Sequence, residues 1–423
     1  MAHFSALPHE LCFQIFGHLE LIDQIHLSAT CKAYRTQLLP EIFKTICFTN
    51  DEALSNSALA AVEAHGEYTT RIEFTCYARS DDELKTPALP AAASKVLNGH
   101  LTRNLRTVQL EFDLDFNDDK VWDDNPNTES WSIYLFDTVE DADYVREKEQ
   151  SWQWRALMKE TWQALAPNKY VRELIIDKFI PKWTSTFHTD EFRLFLSRLE
   201  SATFNIFGMD NGAGWQLNTT WGYIDFLSTL DTSFFHHMSR LKHLHIQASD
   251  PLGLEGFHYI PLALQPIDLP VLESLKLENC FISPELVSFI QGHAKVLRSL
   301  DVNGCFGGEG NMAANPISWA KFFDEIYRAE PSLVELNARG REVPLSSDEQ
   351  RTYYANEEVV QDIYQKLRSN SKLKLFGYKY IDDKYGMAIE SWEDNVGQFN
   401  SGNDQRAHDR LMGLVEVNAA QAR

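Results

Sequence analysis

The sequence predicts an α/β chain: a small N-terminal helical module over residues 1–49, then an irregular solenoid of strand–helix repeats, with a curved parallel sheet, over 50–380. Residues 381–423 are expected to be a C-terminal cap or a flexible tail. Three observations carry this. A short apolar stripe at helical spacing opens the chain, a six-residue apolar pattern returns about nine times from residue 69 onward, and its clearest copy is followed by helix-start signals. Repeats roughly 20–50 residues apart are the mark of stacked units that cannot bury their apolar faces alone.

The opening stretch is "LPHELCFQIFGHLELIDQIHLSATCKAYR", residues 7–35. Taken as one helix from about Pro8, it places Leu11, Ile15, Phe16, Leu19 and Ile22 at three- and four-residue steps on one face. Pro8 suits a first helical turn, where its missing N–H costs nothing, and Glu10 favours the positive end of the helix dipole. That apolar face calls for a partner. The segment resembles the F-box: Leu7, Pro8, Glu10 and Leu11 match its Leu-Pro-x-Glu-Leu opening, and Ile15, Phe16 and Leu19 its continuation. Asp23, Leu27, Ser28, Cys31, Lys32 and Arg35 follow its second half, with departures at Gln24, Thr30 and Tyr34. The resemblance implies docking onto a Skp-type adaptor, and through it onto a cullin-RING scaffold. Leu7, Pro8, Glu10, Leu11, Ile15, Phe16 and Leu19 are then the expected adaptor-binding residues. Some of Leu19, Leu27 and 42–48 are expected to hold the module to the repeats.

The repeated pattern is clearest in "LKHLHI" (241–246), "LESLKLENC" (272–280), "LRSLDVNGC" (297–305) and "LVELNA" (333–338). Weaker copies are "TRIEF" (70–74), "LRTVQL" (105–110), "VRELII" (171–176), "LESATF" (199–204) and "LKLFGY" (373–378). In the best unit Leu275 and Leu277 alternate with Lys276, as in a strand with one buried face, and Glu278 and Asn279 make a polar turn. Ser283 then predicts an N-cap, with Pro284 in the first turn and Leu286, Phe289 and Ile290 on one helical face ending near Gly292. This stretch resembles the cysteine-containing leucine-rich repeat, through Leu272, Leu275, Leu277 and Cys280, then Leu297, Leu300, Val302 and Cys305. The resemblance implies a solenoid that binds a protein on the outward residues of its strands. By alternation these are Thr107, Gln109, Glu173, Asp177, His243, His245, Lys276, Glu278, Ser299, Asp301, Asn303, Glu335 and Asn337. The expected target-binding set is His243, His245, Lys276, Glu278, Asp301, Asn303, Glu335 and Asn337, whose acidic bias suggests a target of basic character.

Residues 111–149 interrupt the repeats with 14 acidic and 3 basic side chains and are expected to be a solvated acidic insertion. Trp122, Trp131 and Tyr134 within it raise the alternative of an arm that contacts a basic partner. "GCFGGEG" (304–310) lacks the lysine of a phosphate loop and reads as a flexible turn.

With 423 residues, 44% of them hydrophobic, the chain can bury a large core, and its net charge of −22 repels nucleic-acid phosphates. No leader and no apolar stretch long enough to span a membrane is legible, so a cytoplasmic and/or nuclear protein is expected. The six cysteines are scattered without a Cys-x-x-Cys pair, as expected for buried thiols in a reducing compartment. His243 and His245 share a strand face, with His236 and His237 nearby, yet no adjacent carboxylate or thiolate completes a metal site. No nucleophile or metalloprotease motif is present, so neither metal, cofactor nor catalytic residue is assigned. These features predict a non-enzymatic substrate receptor of an SCF-type ubiquitin ligase. The alternative is a leucine-rich-repeat interaction scaffold with no role in ubiquitin ligation.

Overall fold

The computed structural model describes residues 9–78, 84–114, 133–308, 313–314, 316–338, 340 and 357–422. Three helices come first: α1 (His9–Phe16), α2 (Leu21–Thr30) and α3 (Lys32–Ile42). The single opening helix expected from the sequence is therefore two. The chain turns after Phe16, with His18 N–H donating to Ile15 O and Leu19 N–H to Phe16 O, so Leu19 and Ile22 do not continue the first helical face.

The strands of the main sheet follow: β1 (Thr45–Thr49), β2 (Arg71–Ala78), β3 (Thr107–Leu114), β4 (Glu173–Phe179), β5 (Ser201–Ile206), β6 (His243–Leu252), β7 (Ser274–Cys280), β8 (Ser299–Asp301) and β9 (Glu335–Asn337). They form one sheet in chain order, each parallel to the next. Parallel neighbours need a crossover connection, and helices such as Glu52–His65, Gln153–Leu165, Pro284–Gly292 and Trp319–Arg328 supply it. The strands alternate as a one-sided sheet requires: Ile72, Phe74 and Cys76 of β2, Leu174 and Ile176 of β4, and Leu275 and Leu277 of β7 are all buried. Against that face pack Val62, Trp162, Phe192, Phe226, Phe289 and Phe322 in a single core. The predicted cap holds, since Ser283 Oγ accepts from Leu286 N–H at 3.1 Å.

Several expectations need correction. β1 lies inside the segment assigned to the helical module, because Ile46 and Phe48 bury their side chains against the sheet in register with Ile72 and Phe74. The "LKLFGY" segment adds no strand to the nine-stranded sheet. The C-terminal helices take its backbone instead: Lys374 N–H donates to Gln405 Oε1 and Tyr378 N–H to Asn395 Oδ1. Residues 304–308 do not form a free turn either, since Phe306 pairs with Phe281 and Gly307 with Tyr378, while 309–310 lie outside the described residues.

The end of the chain is neither a short helix nor a loose tail. Asn403–Gln421 is a 19-residue helix that buries Ala407, Leu411 and Val415. Asp404 accepts from Ala320 N–H and Tyr378 O–H, both at 2.8 Å, and Asn418 donates to the carbonyls of Pro331 and Leu333, closing the edge beyond β9.

The acidic insertion is not wholly solvated. Glu140 and Glu149 within it are buried, and Tyr134 is exposed; Trp122 and Trp131 lie outside the described residues. Of the described cysteines, Cys76, Cys280 and Cys305 are buried as expected, whereas Cys31 and Cys47 are exposed.

Candidate protein-docking surfaces

The N-terminal helices close a small core of their own. Phe16 and Leu38 are buried there, flanked by Leu19, Leu27, Tyr34 and Ile42. Two positions that depart from the F-box pattern have structural work in this module. Gln24 donates its side-chain amide to Phe16 O and Leu19 O, both at 3.1 Å, tying α2 to the turn that follows α1. Tyr34 packs edge-on against Phe16, ring centroids 6.1 Å apart.

The outer surface of the module carries a set of apolar side chains among polar ones. Leu11 and Ile15, one turn apart on α1, are 44% and 38% exposed, and Leu21, Ile22 and Ile25 on α2 are 52%, 56% and 41% exposed. Phe16, expected among the adaptor-binding residues, points the other way and is buried in the module's own core; Leu19 is half-buried beside it. Leu7 and Pro8 lie outside the described residues, as does the side chain of Glu10. Leu21 and Ile25 escaped the sequence reading because one continuous helix was assumed, although their own four-residue spacing was a usable signal.

The second surface is the open face of the sheet. Parallel register aligns Thr107, Glu173, Ser201, His243, Ser274, Ser299 and Glu335 in one row across seven strands. The next row is Gln109, Ile175, Thr203, His245, Lys276, Asp301 and Asn337, and Gln247 beside Glu278 begins a third. Seven of the eight expected target-binding residues thus share a face, and Asn303 lies in the turn after β8, its N–H donating to Asp301 Oδ1.

These side chains mostly bond one another. Glu278 Oε1 lies 2.6 Å from Lys276 Nζ and 3.3 Å from His245 Nε2. Ser299 donates to Glu335 at 3.0 Å and Asn337 to Asp301 at 2.9 Å. On the other half of the sheet Arg71 binds Glu73 and Gln109, Gln109 binds Asp177, and Asn205 donates to Asp177. Arg71 and Glu73 belong to a strand the pattern located, but their part in this network was not anticipated.

The hydrogen bond from Lys276 holds Glu278 below the usual glutamate range, and burial lowers His245, which leaves its imidazole neutral at physiological pH. Burial pushes the Cys47 thiol up to about 11, so it is a poor nucleophile despite its exposure. Among the described residues no group of three or more His, Cys, Asp or Glu side chains is arranged to hold a metal ion. No described helix is long and apolar enough to cross a membrane.

Among the described residues the three helices thus form a unit with its own small core and several apolar side chains in solvent. Residues 4–49 match the family described as F-box-like, whose members generally bind Skp-type adaptors. No curated protein matches the chain.

Proposed function

We propose that the chain is a substrate receptor of an SCF-type ubiquitin ligase. The observation that carries this is the F-box-like match over 4–49 on a module whose Leu11 and Ile15 stand open to solvent. In this reading the module docks a Skp-type adaptor and, through it, the cullin-RING scaffold. The nine-stranded sheet in chain order, with Leu272, Leu297 and their repeat partners in the core, supports a leucine-rich-repeat-like solenoid that holds the target. The chain itself then catalyses nothing. It raises the rate by holding the target close to the ubiquitin-charged enzyme, since proximity converts an encounter into an effectively intramolecular step. The target is a protein with basic character, met in the cytoplasm or nucleus.

The test is co-expression with a Skp-type adaptor and a cullin, followed by size-exclusion chromatography with mass determination. A one-to-one complex that also retains cullin is expected. Adaptor binding without cullin would favour a scaffold outside any ligase. The variant Leu11→Asp with Ile15→Asp should lose the adaptor: covering the exposed two fifths of each anchor is worth about 0.6–1.2 kcal/mol, and each carboxylate adds a desolvation cost, so a loss of about tenfold or more in affinity is expected. Both side chains are more than half covered within the chain, so the melting transition of the lone variant is measured beside the parent, and Leu11→Ser with Ile15→Ser serves as a milder second variant. Undiminished adaptor binding by either would remove the docking-face assignment.

A further inference from the structure

The loops that follow β5 and β6 meet the turn between Ile381 and Ala388 around a cavity of about 540 Å³. Its walls include Trp215, Trp221, Phe257, His258, Asp383 and Lys384. Trp221 and Phe257 are 64% and 56% exposed, which leaves two large ring faces in water. Isolated apolar residues at a surface are ordinary, but aromatic side chains converging on one cavity mark a binding site.

The frame is fixed from three distant parts of the chain. Gln216 N–H donates to Tyr385 O at 2.9 Å, Asn218 donates its amide to Gly386 O at 2.8 Å, and His258 Nε2 lies 3.1 Å from Asp383 O. Gly386 has φ +73°, and a Cβ there would sit 2.0 Å from Asn218 Oδ1, so the turn admits only glycine. Trp215 stands edge-on to Tyr385, centroids 5.5 Å apart. A cavity held this way is formed before any ligand arrives, which lowers the cost of binding.

At the wall itself Asp383 stands beside Lys384, but the surroundings are acidic. Segments 207–226, 249–270 and 381–390 together carry eight carboxyl groups and a single lysine, with no arginine; of the eight, Asp250 is buried and Glu390 is paired with Lys379. Asp225 lies one helical turn from Trp221, Glu255 precedes the wall residue Gly256, and Asp383 lines the cavity itself. The lone lysine, Lys384, sits 4.5 Å over the ring of Tyr385, so an aromatic face here already holds a cation. Aromatic faces attract cations through their quadrupole, and a guanidinium adds planar stacking with a fork of donors suited to a carboxylate.

We infer that this cavity takes an arginine side chain from an exposed segment of the target protein, stacked between Trp221 and Phe257 and paired with Asp383. The inference rests on the target-binding reading above and names the chemistry of the target.

Calorimetry with the full chain tests it, using a short capped peptide with one central arginine among glycines, at up to about 1 mM. Matching peptides carry citrulline, leucine or glutamate at the same place. The arginine peptide is expected to bind, citrulline to lose about tenfold, and glutamate not to bind. Trp221→Ala and Asp383→Asn should each weaken the arginine peptide by about tenfold. Trp221 projects mostly into solvent, so its variant should keep the parental melting transition, and Asp383→Asn is an isosteric second variant. Equal binding of the citrulline or leucine peptide, no change in Asp383→Asn, or no binding of the arginine peptide overturns the inference. Adaptor co-elution is measured on the same Trp221→Ala preparation and should be unchanged. A parent chain that takes the peptide but ignores the adaptor would sink the receptor reading while leaving the cavity assignment intact.

Discussion

Glu140→Gln is expected to lower folding stability by about 3–5 kcal/mol, because it breaks a buried ion cluster. Glu140 receives a bidentate pair from Arg155, 2.8 Å to Oε1 and 2.9 Å to Oε2, and a third bond from Lys182 Nζ at 2.8 Å. All three side chains are at most 4% exposed. Removing the carboxylate charge leaves two cations in a poorly solvating interior sharing one amide oxygen, while Arg155 retains its bond to Trp183 O at 2.8 Å. Burial by itself would raise the Glu140 carboxyl, but Arg155 and Lys182 outweigh it and hold it below the ordinary value of 4.5. The sign follows: the contribution is fully present above the unfolded value and is lost as pH falls through the lower folded one. Urea denaturation near neutral pH checks the magnitude, with Glu147→Gln on the helix that follows (Ala142–Ser151) as an exposed control expected within about 0.5 kcal/mol of the parent. If the two variants denature together, the triad does not hold this part of the fold.

That triad also shows where the sequence stops being legible. Residues 111–149 read as a solvated acidic stretch because charge composition is local, whereas the partners that bury Glu140 lie 15 and 42 residues away. Glu149 is the same case: it accepts from Ser185 N–H and Oγ, both at 2.7 Å, from 36 residues off. What repetition and alternation encode was readable. Leu275, Leu277, Leu300 and Val302 are buried, Ser283 caps its helix, and the outward residues of the strands align on one face. What depends on contact across the chain was not. β1 lacks the repeat pattern and becomes a strand because β2 offers its edge. The "LKLFGY" segment has the pattern, yet side chains of the last two helices satisfy its backbone. The arginine cavity joins residues as much as 168 positions apart, a distance no periodicity reports.

Asp250→Asn should do the reverse of Glu140→Gln and stabilise the chain at alkaline pH. Asp250 lies near the end of β6, 6% exposed, and its Oδ2 has no hydrogen-bond partner among the described residues. Burial pushes its carboxyl from 3.8 up to about 7; a backbone N–H of Asn218 acts against this, and the Asp210 carboxylate adds to it. Tyr223, also buried, is the other titratable group facing it, and is itself raised far enough to stay neutral.

Between those two values the folded chain holds a proton that the unfolded chain releases. Stability therefore falls as pH rises through this window, by about 1.4 kcal/mol per unit for one proton, and levels off above it. Glu285, raised by burial to about 6, adds a slope of the same sign, so the quantity to follow is the difference between variant and parent. An amide cannot ionise and so removes Asp250's share of the slope. It also places an N–H₂ where Oδ2 had no partner, which offsets part of the gain. The variant should then be no more stable than the parent near about pH 4 and more stable by about 1–3 kcal/mol near about pH 8. Parallel denaturation curves at both values decide it. A stability difference that stays constant with pH would mean that a counter-charge reaches Asp250 and keeps it ionised in the fold.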